Sequence, residues 1–206
     1  MNANHTSRDK PWYPHHRSPQ QFVPLQQLKA ASRPGEWQSL GAEPLFALEG
    51  QLPLPGWNMV EIACERDVTS VVSSLTFESA RRSLTVELPL RVGKITKRLV
   101  YVPWGVKRVT FAPMNATGTF SLEHFRFVWL TPMFAYNRLL QRLSNMHEHY
   151  RDLSLKEIEL SLKQQARKQS RKWQTIALED YESTFISFST RRHYQQWIRQ
   201  VERRRA

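Results

Sequence analysis

The chain has 206 residues, with 30 Lys and Arg against 18 Asp and Glu, a formal net charge of +12 and a single cysteine, Cys64. One cysteine excludes an intramolecular disulfide framework and a zinc site built from several cysteines. The pI near 10.3 favours an acidic partner, such as a nucleic acid or an anionic membrane. The first residues lack the apolar core of a secretory signal, and no apolar run approaches the about 20 residues that span a bilayer. We therefore expect a cytoplasmic protein.

Proline and glycine divide the chain into two parts. All 12 prolines lie at or before Pro132 and all 7 glycines at or before Gly118. This division predicts strands and turns first and helices afterwards. Residues 1–35 carry five bases, one acid and five prolines, which predicts a basic disordered arm. For Pro24–Leu28, a short element docked on the body is an equal alternative.

Residues 36–130 alternate between apolar and polar positions with a period close to two, which is typical of strands with one buried face. Pro89 cannot donate to a ladder, so its strand should lie at a sheet edge or end there. The apolar phase changes near Glu123 and His124, which predicts a β-bulge. The predicted strands contain Val60–Cys64, Val71–Phe77, Leu84–Leu90, Ile95–Val102, Val106–Phe111 and Phe120–Trp129. The pattern predicts an antiparallel β-sandwich domain of about six or more strands over residues 36–130.

Residues 131–206 predict a helical extension, so the fold class is α+β. Thr131 and Pro132 form an N-cap with proline at the first helical position, which predicts a helix to about residue 150. Ser154–Glu157 is a capping box that begins a second helix, with an apolar stripe reaching Ile176. Ser189 or Thr190 can cap a predicted third helix, which would place four apolar or aromatic residues on one face: Tyr194, Trp197, Ile198 and Val201.

No catalytic or metal-binding motif is present in the sequence. There is no Asp-x-Asp pair, no glycine-rich phosphate loop and no Gly-x-Ser-x-Gly elbow. His147 and His149 are two residues apart, so on a helix they point to nearly opposite sides and do not form a metal pair. Cys64 alternates inward with Val60 and Ile62, which indicates a buried, inert thiol. We expect no catalytic residue, no metal and no cofactor.

The tryptophans are the remaining candidates for ligand contact. Trp104 lies in the turn Val102–Val106 between two predicted strands, where an exposed indole would stack on a sugar ring. Trp57 is the second candidate for glycan stacking. The alternative for Trp104, which the pattern favours, is a tryptophan folded over the edge of the sandwich.

Several segments resemble the N-terminal, non-catalytic region of bacterial family 2 glycosyltransferases of O-antigen and rhamnan biosynthesis. The similarity follows the order of the segments EWQSLG (36–41), PLF (44–46), PGW (55–57), LPLR (88–91), KRLVYVP (97–103), GVKR (105–108) and YQQWI (194–198). In that family a Pro-x-hydrophobic strand and an Asp-x-Asp metal site come after the last segment, whereas this chain stops at Ala206. The resemblance implies a sheet domain without the catalytic half, so no catalytic residue is carried over.

Two hypotheses follow, and the charge distribution helps to choose between them. One is an accessory or truncated glycosyltransferase-like module that binds glycan or lipid-linked glycan. It would dock on a catalytic glycosyltransferase polypeptide through Tyr194, Trp197, Ile198 and Val201. The alternative is a basic nucleic-acid-binding protein. Residues 36–130 have a net charge of only +1, whereas residues 1–35 carry +4 and residues 151–206 carry +6. This near-neutral sheet disfavours nucleic acid and leaves an anionic membrane surface as the acidic partner.

Overall fold

The structure is a computed structural model that describes residues 16–17, 19–68, 71–80, 82–91 and 93–185. Its strands are β1 (His16–Arg17), β2 (Pro19–Gln26), β3 (Leu28–Ala30), β4 (Glu36–Ser39), β5 (Leu45–Gly50), β6 (Gly56–Arg66), β7 (Ser73–Ser79), β8 (Ser83–Leu88), β9 (Thr96–Val102), β10 (Val106–Ala112) and β11 (Gly118–Trp129). They are followed by α1 (Pro132–Met146), a 3₁₀ turn (Glu148–Tyr150), α2 (Leu155–Gln169) and α3, which is described over residues 173–185.

The strands form two antiparallel sheets. The first has the order β3-β4-β11-β6-β9, with β1 also paired to β11, and the second has the order β2-β5-β10-β7-β8. Alternate side chains of both sheets meet in the sandwich core, which includes Phe46, Ile62, Phe77, Phe111 and Phe127. The fold is therefore α+β, an antiparallel β-sandwich followed by C-terminal helices, as the sequence predicts.

The helices cover part of the outer face of the first sheet. We call this contact the sheet–helix layer; its buried residues include Trp57, Leu99 and Val128 from strands and Leu139, Leu143, Ile158, Leu162, Ile176 and Tyr181 from helices. Thr131 caps α1 by accepting from the Phe134 amide, and Ser154 with Glu157 completes the predicted capping box of α2. Because the sandwich core and the helices share the first sheet, β6, β9 and β11 bury side chains on both of their faces where the helices cover them.

Details of the predicted strands are confirmed. The chain turns into β6 at Gly56, whose φ of +100° glycine adopts without strain. β8 is an edge strand that ends at Leu88, immediately before Pro89. The register of β11 against β6 shifts between Leu122 and His124, so the bulge lies where the change of apolar phase predicts it.

The prediction of a disordered arm is wrong for the described residues of this segment, because most of them form strands. Residues 16–17, 19–26 and 28–30 form β1, β2 and β3, and β2 pairs with β5 in the second sheet. Phe22 packs edge-to-face on Phe46 and Phe125, with ring centroids 5.6 and 5.2 Å apart. The two prolines of β2, Pro19 and Pro24, suggested an irregular segment. β2 is an edge strand, however, where one side of the backbone has no ladder partner and proline is tolerated.

The sequence predicts one second helix that continues to Ile176, whereas the structure has two helices there, α2 and α3. Ser170 adopts a left-handed conformation with φ of +52° and ends α2, where its N–H bonds to the carbonyls of Ala166 and Arg167. The chain then reverses, so that Ile176 returns to the sheet–helix layer. Burying Ile176 and Tyr181 in this layer favours the break over a long polar helix in solvent. The predicted third helix beginning at Ser189 or Thr190 lies outside the described residues.

Candidate functional site

Trp57 does not offer a stacking surface. It is only 6% exposed because α1 packs over it, and its ring lies edge-on to Tyr101 and Tyr136 at centroid distances of 5.2 and 5.5 Å. A buried indole contributes apolar area to the sheet–helix layer and cannot present a ring face to a ligand. The prediction that Trp57 stacks on a glycan is therefore wrong.

Trp104 is 77% exposed, the highest value for a tryptophan, tyrosine or phenylalanine among the described residues. It lies on the short connection from β9 to β10, which crosses from the first sheet to the second at one end of the sandwich. Val102 and Pro103 before it are buried, and Gly105 after it has φ of +71°. These neighbours fix the backbone of the turn while the indole faces solvent, so the alternative of a tryptophan folded over the edge does not hold.

A row of aromatic rings lies on the same end of the first sheet and continues onto the helices. From Tyr101 it passes through Trp57 and Tyr136 to Trp173, with successive centroids 5.2, 5.5 and 5.1 Å apart. Tyr101 is 38% exposed, and Tyr136 and Trp173 are half-buried. Burial raises the pKa of Tyr136, so its hydroxyl stays protonated. We call Tyr101, Trp57, Tyr136 and Trp173 the aromatic row; sequence spacing gave no sign of it, because its members lie far apart along the chain.

The start of α1 adds exposed apolar groups near this row. The Leu130 amide donates to the Trp57 carbonyl, which brings the N-terminus of α1 beside the beginning of β6. Met133 is 76% exposed and Phe134 42%. Large apolar side chains grouped at one end of a protein commonly mark a contact surface.

A smaller cleft lies where β11 bulges. β4 pairs with β11 up to Ser121 and β1 pairs from Phe127, so the intervening residues of β11 have neither partner among the described residues. The gap leads to a cavity of about 250 Å³ lined by Phe22, Gly35, Trp37, Phe46, Leu122, Glu123, His124 and Phe125. Its floor is aromatic and Glu123 stands at its rim, exposed on the bulge. Sequence analysis predicted the bulge but not the cleft beside it.

The outer face of the first sheet carries a charged cluster around Glu61. Burial disfavours ionisation of Glu61, but hydrogen bonds from Lys97 and Arg126 outweigh it and hold the pKa of that carboxyl below its ordinary value. The ammonium of Lys97 lies 2.8 Å from Oε1, and Arg126 pairs with Oε2. A carboxylate with these partners is a structural ion pair rather than a general base.

A second ion pair fastens α3 to β9. Arg98 is 2% exposed and pairs with Glu182, while its guanidinium lies 4.0 Å from the ring centroid of Phe185. The guanidinium of Arg142 lies over the same ring at 3.6 Å. Burial raises the pKa of Glu182 despite the attraction of Arg98.

Other predicted features have plain structural positions. Cys64 is buried, and burial raises the pKa of its thiol to about 11, which keeps it protonated and unreactive. Within the described part of the chain, no group of three or more His, Cys, Asp or Glu is placed to hold a metal ion. Nor is any helix of residues 132–185 long and apolar enough to cross a membrane. The four predicted docking residues, Tyr194, Trp197, Ile198 and Val201, lie outside the described residues.

No protein-family model matches the chain, and no curated protein sequence matches it. Solved structures with partial likeness include carbohydrate-binding modules. The C-terminal CBM6 of LamC, a marine laminarinase from Zobellia galactanivorans, is 15% identical, with a TM-score of 0.38 over 57% of this chain and 94% of that one. The module CBM6cm-2 from Cellvibrio mixtus lichenase 5A, in complex with cellotriose, is 18% identical, with a TM-score of 0.37 over 58% and 99%.

The CBM22-1–GH10 modules of Clostridium thermocellum xylanase 10B, complexed with xylohexaose, are 10% identical, with a TM-score of 0.39 over 54% of this chain and 26% of that one. These TM-scores and identities are too low to assign a ligand or a function to this chain.

Proposed function

We propose that this chain is a non-catalytic module that binds a glycan, with Trp104 as the principal contact. The observation that carries the proposal is the 77% exposure of the Trp104 indole, which lies on a turn that follows the buried residues Val102 and Pro103. An indole held in this way presents a flat, rigid apolar face that a ligand can cover. A rigid indole also loses little conformational entropy on binding.

A sugar suits this surface for chemical reasons. One face of a pyranose ring presents C–H groups, which pack on the electron-rich face of an indole, while the hydroxyl groups at its edge need hydrogen bonds. Near Trp104, Tyr101 supplies both a partly exposed ring and a hydroxyl. The charged side chains of Lys107 and Arg108 follow on β10 and are exposed. Exposed aromatic and polar side chains are therefore close together along the chain around this turn.

The wider role that we propose rests on the resemblance of its segments to family 2 glycosyltransferases. The module would hold a glycan acceptor or lipid-linked glycan for a catalytic polypeptide that builds a surface polysaccharide. Such glycans are assembled at the cytoplasmic leaflet, where an anionic membrane surface would attract the basic ends of the chain. The segments EWQSLG and KRLVYVP, which carry part of the resemblance, fall mostly in β4 and β9.

Affinity electrophoresis of the full chain tests glycan binding directly. The gels contain rhamnan O-polysaccharide, laminarin or xylan, and the chain should be retarded in at least one of them. The dissociation constant obtained from the retardation should rise at least tenfold in Trp104→Ala, which corresponds to about 1.4 kcal/mol of binding free energy. Leu160→Ala is the matched control, because Leu160 is also strongly exposed, at 59%, but lies on α2.

Two outcomes would contradict the proposal. One is the absence of retardation in every polysaccharide gel; the other is equal retardation of the Trp104→Ala variant and the unmodified chain. Titration with labelled DNA and RNA at two salt concentrations supplies the comparison with the alternative function. Submicromolar binding that weakens steeply with salt would favour a nucleic-acid-binding protein instead.

A further inference from the structure

A polar groove lies among the helices, away from the Trp104 turn. Its volume is about 460 Å³, which is within the range of small-molecule sites. The 3₁₀ turn and the residue before it, one face of α2 and a residue of α3 form its three sides. The lining residues are His147, His149, Tyr150, Ser161, Gln164, Gln165, Lys168 and Asp180.

The contribution of α2 follows from helical periodicity. Ser161, Gln164, Gln165 and Lys168 stand at i, i+3, i+4 and i+7, so they share one face of the helix. The apolar residues Ile158, Leu162 and Ala166 lie on the adjacent face and are buried in the sheet–helix layer. The sequence between Lys163 and Lys172 is almost wholly polar, and three of its polar residues, Gln164, Gln165 and Lys168, line the groove.

The floor of the groove is held in a fixed geometry. The Tyr150 hydroxyl donates to Asp180 Oδ2 at 2.7 Å and so ties the 3₁₀ turn to α3. Burial and then the neighbouring Asp180 raise the pKa of Tyr150, which keeps its hydroxyl a donor. His147 Nδ1 is buried and has no hydrogen-bond partner among the described residues. One side-chain nitrogen of the groove residues therefore has hydrogen-bonding capacity that no described residue uses.

The chemistry of the wall indicates the class of ligand. The formal charges of Lys168 and Asp180 cancel, and the remaining lining groups are two imidazoles, two amides and two hydroxyls. Amides and neutral imidazoles both donate and accept hydrogen bonds, as the hydroxyl groups of a sugar do. An anion site would present an excess of cationic donors, and a site for an apolar ligand would present apolar walls.

We propose that the groove binds a short, uncharged, polyhydroxylated ligand, namely one or two sugar units of a glycan. The inference deepens the proposed function, on which it rests, by adding a second subsite in the helices. A second weak contact on one polymer raises the overall affinity, because the second binding event becomes intramolecular.

Nuclear magnetic resonance of the full chain tests the subsite with small probes. Methyl α-L-rhamnopyranoside and methyl α-D-glucopyranoside are titrated separately, with inorganic phosphate as the anionic probe. We expect at least one glycoside to shift the amide signals of residues 147–150 and 161–168 with millimolar half-saturation. The side-chain amides of Gln164 and Gln165 should shift in the same titration.

Variants separate the groove from the Trp104 surface. The double variant Gln164→Ala with Gln165→Ala should lose at least fivefold in glycoside affinity, whereas Gln141→Ala, an exposed glutamine on α1, should change nothing. Trp104→Ala should leave the shifts in the groove unchanged.

Each contrary outcome has a distinct meaning. Shifts caused by phosphate alone would overturn the ligand class, and no shift by either glycoside would overturn the subsite. If polysaccharide binding through Trp104 persists in that case, only the groove inference fails. If the groove binds glycosides while Trp104→Ala leaves polysaccharide retardation unchanged, the groove inference stands and the role of Trp104 fails.

Discussion

The sandwich core and the sheet–helix layer lie on opposite faces of the same sheet but are held in different ways. The sandwich core consists of apolar side chains, many of them phenylalanine, that are almost completely buried. The sheet–helix layer contains polar tips that reach specific partners: Tyr181 with the Leu99 amide, Tyr150 with Asp180 and Arg98 with Glu182. The sandwich is stabilised by the burial of apolar surface, which does not depend on direction. The position of α3 depends on hydrogen bonds and an ion pair between specific atoms. The proposed subsite lies among these directionally placed helices.

The largest expected effect of a single substitution is in the sandwich core. Phe111 is fully buried between Phe22 and Phe125, so Phe111→Ala should lower the free energy of unfolding by about 3–5 kcal/mol, through lost burial and a cavity. Urea denaturation measures the change. Phe134→Ala, at an exposed ring on α1, is the control and should cost less than about 1 kcal/mol. Equal losses in the two variants would mean that the sandwich core is not the main source of stability.

Tyr181→Phe probes the directional character of the sheet–helix layer. The Leu99 amide donates to the Tyr181 hydroxyl at 2.9 Å, and the substitution leaves that buried N–H without a partner. We expect a loss of about 1–3 kcal/mol in the free energy of unfolding. Hydrogen exchange at the Leu99 amide should accelerate in the same variant.

Tyr101→Phe is the matched control, because it removes a tyrosine hydroxyl from β9, the strand of Leu99, at a residue that is 38% exposed. A loss no greater than that of this control, with unchanged exchange at Leu99, would show that packing alone places α3.

Glu61→Gln gives a smaller effect, and one that depends on pH. The folded-state pKa of Glu61 is lowered, so its ionised form stabilises the fold at neutral pH. That contribution is lost as the pH falls below the ordinary glutamate pKa, about 4.3, and through the folded-state value. The unmodified chain should therefore be more stable than Glu61→Gln at pH 7, with the difference shrinking as the pH falls.

Denaturation curves at several pH values measure this difference. Glu65→Gln, at an exposed position on the same strand, is the control and should leave the difference near zero at every pH. A difference for Glu61→Gln that grows on acidification would contradict the assigned ion pairs.

Local pattern predicted the central strands and the helix starts well, because alternation and caps are properties of neighbouring residues. β6, β9, β10 and the bulged β11 all lie where apolar alternation places them. Pattern failed at β2, whose prolines are tolerated only because that strand lies at a sheet edge. It also failed at Ser170, where the chain turns because Ile176 returns to the sheet–helix layer. Edge position and long-range burial are consequences of the complete fold.

The candidate sites show the same limit. Turn residues around Trp104 predicted its location in a loop, but the exposure of its indole depends on how the two sheets meet. Trp57 has equally suggestive neighbours, Pro55 and Gly56, and is buried because α1 packs over it. The polar stripe of α2 was visible in the sequence, whereas Asp180 and the 3₁₀ turn join it only in the folded chain.

The contrast between Trp104 and Trp57 allows the most direct test of glycan binding. The indole N–H signals of the full chain are recorded during titration with rhamnan oligosaccharide, and Trp104→Phe and Trp57→Phe assign the two signals. If the module binds glycan as proposed, the Trp104 signal shifts progressively while the Trp57 signal stays in place. A Trp104 signal that does not move in the presence of bound oligosaccharide would contradict the proposed function.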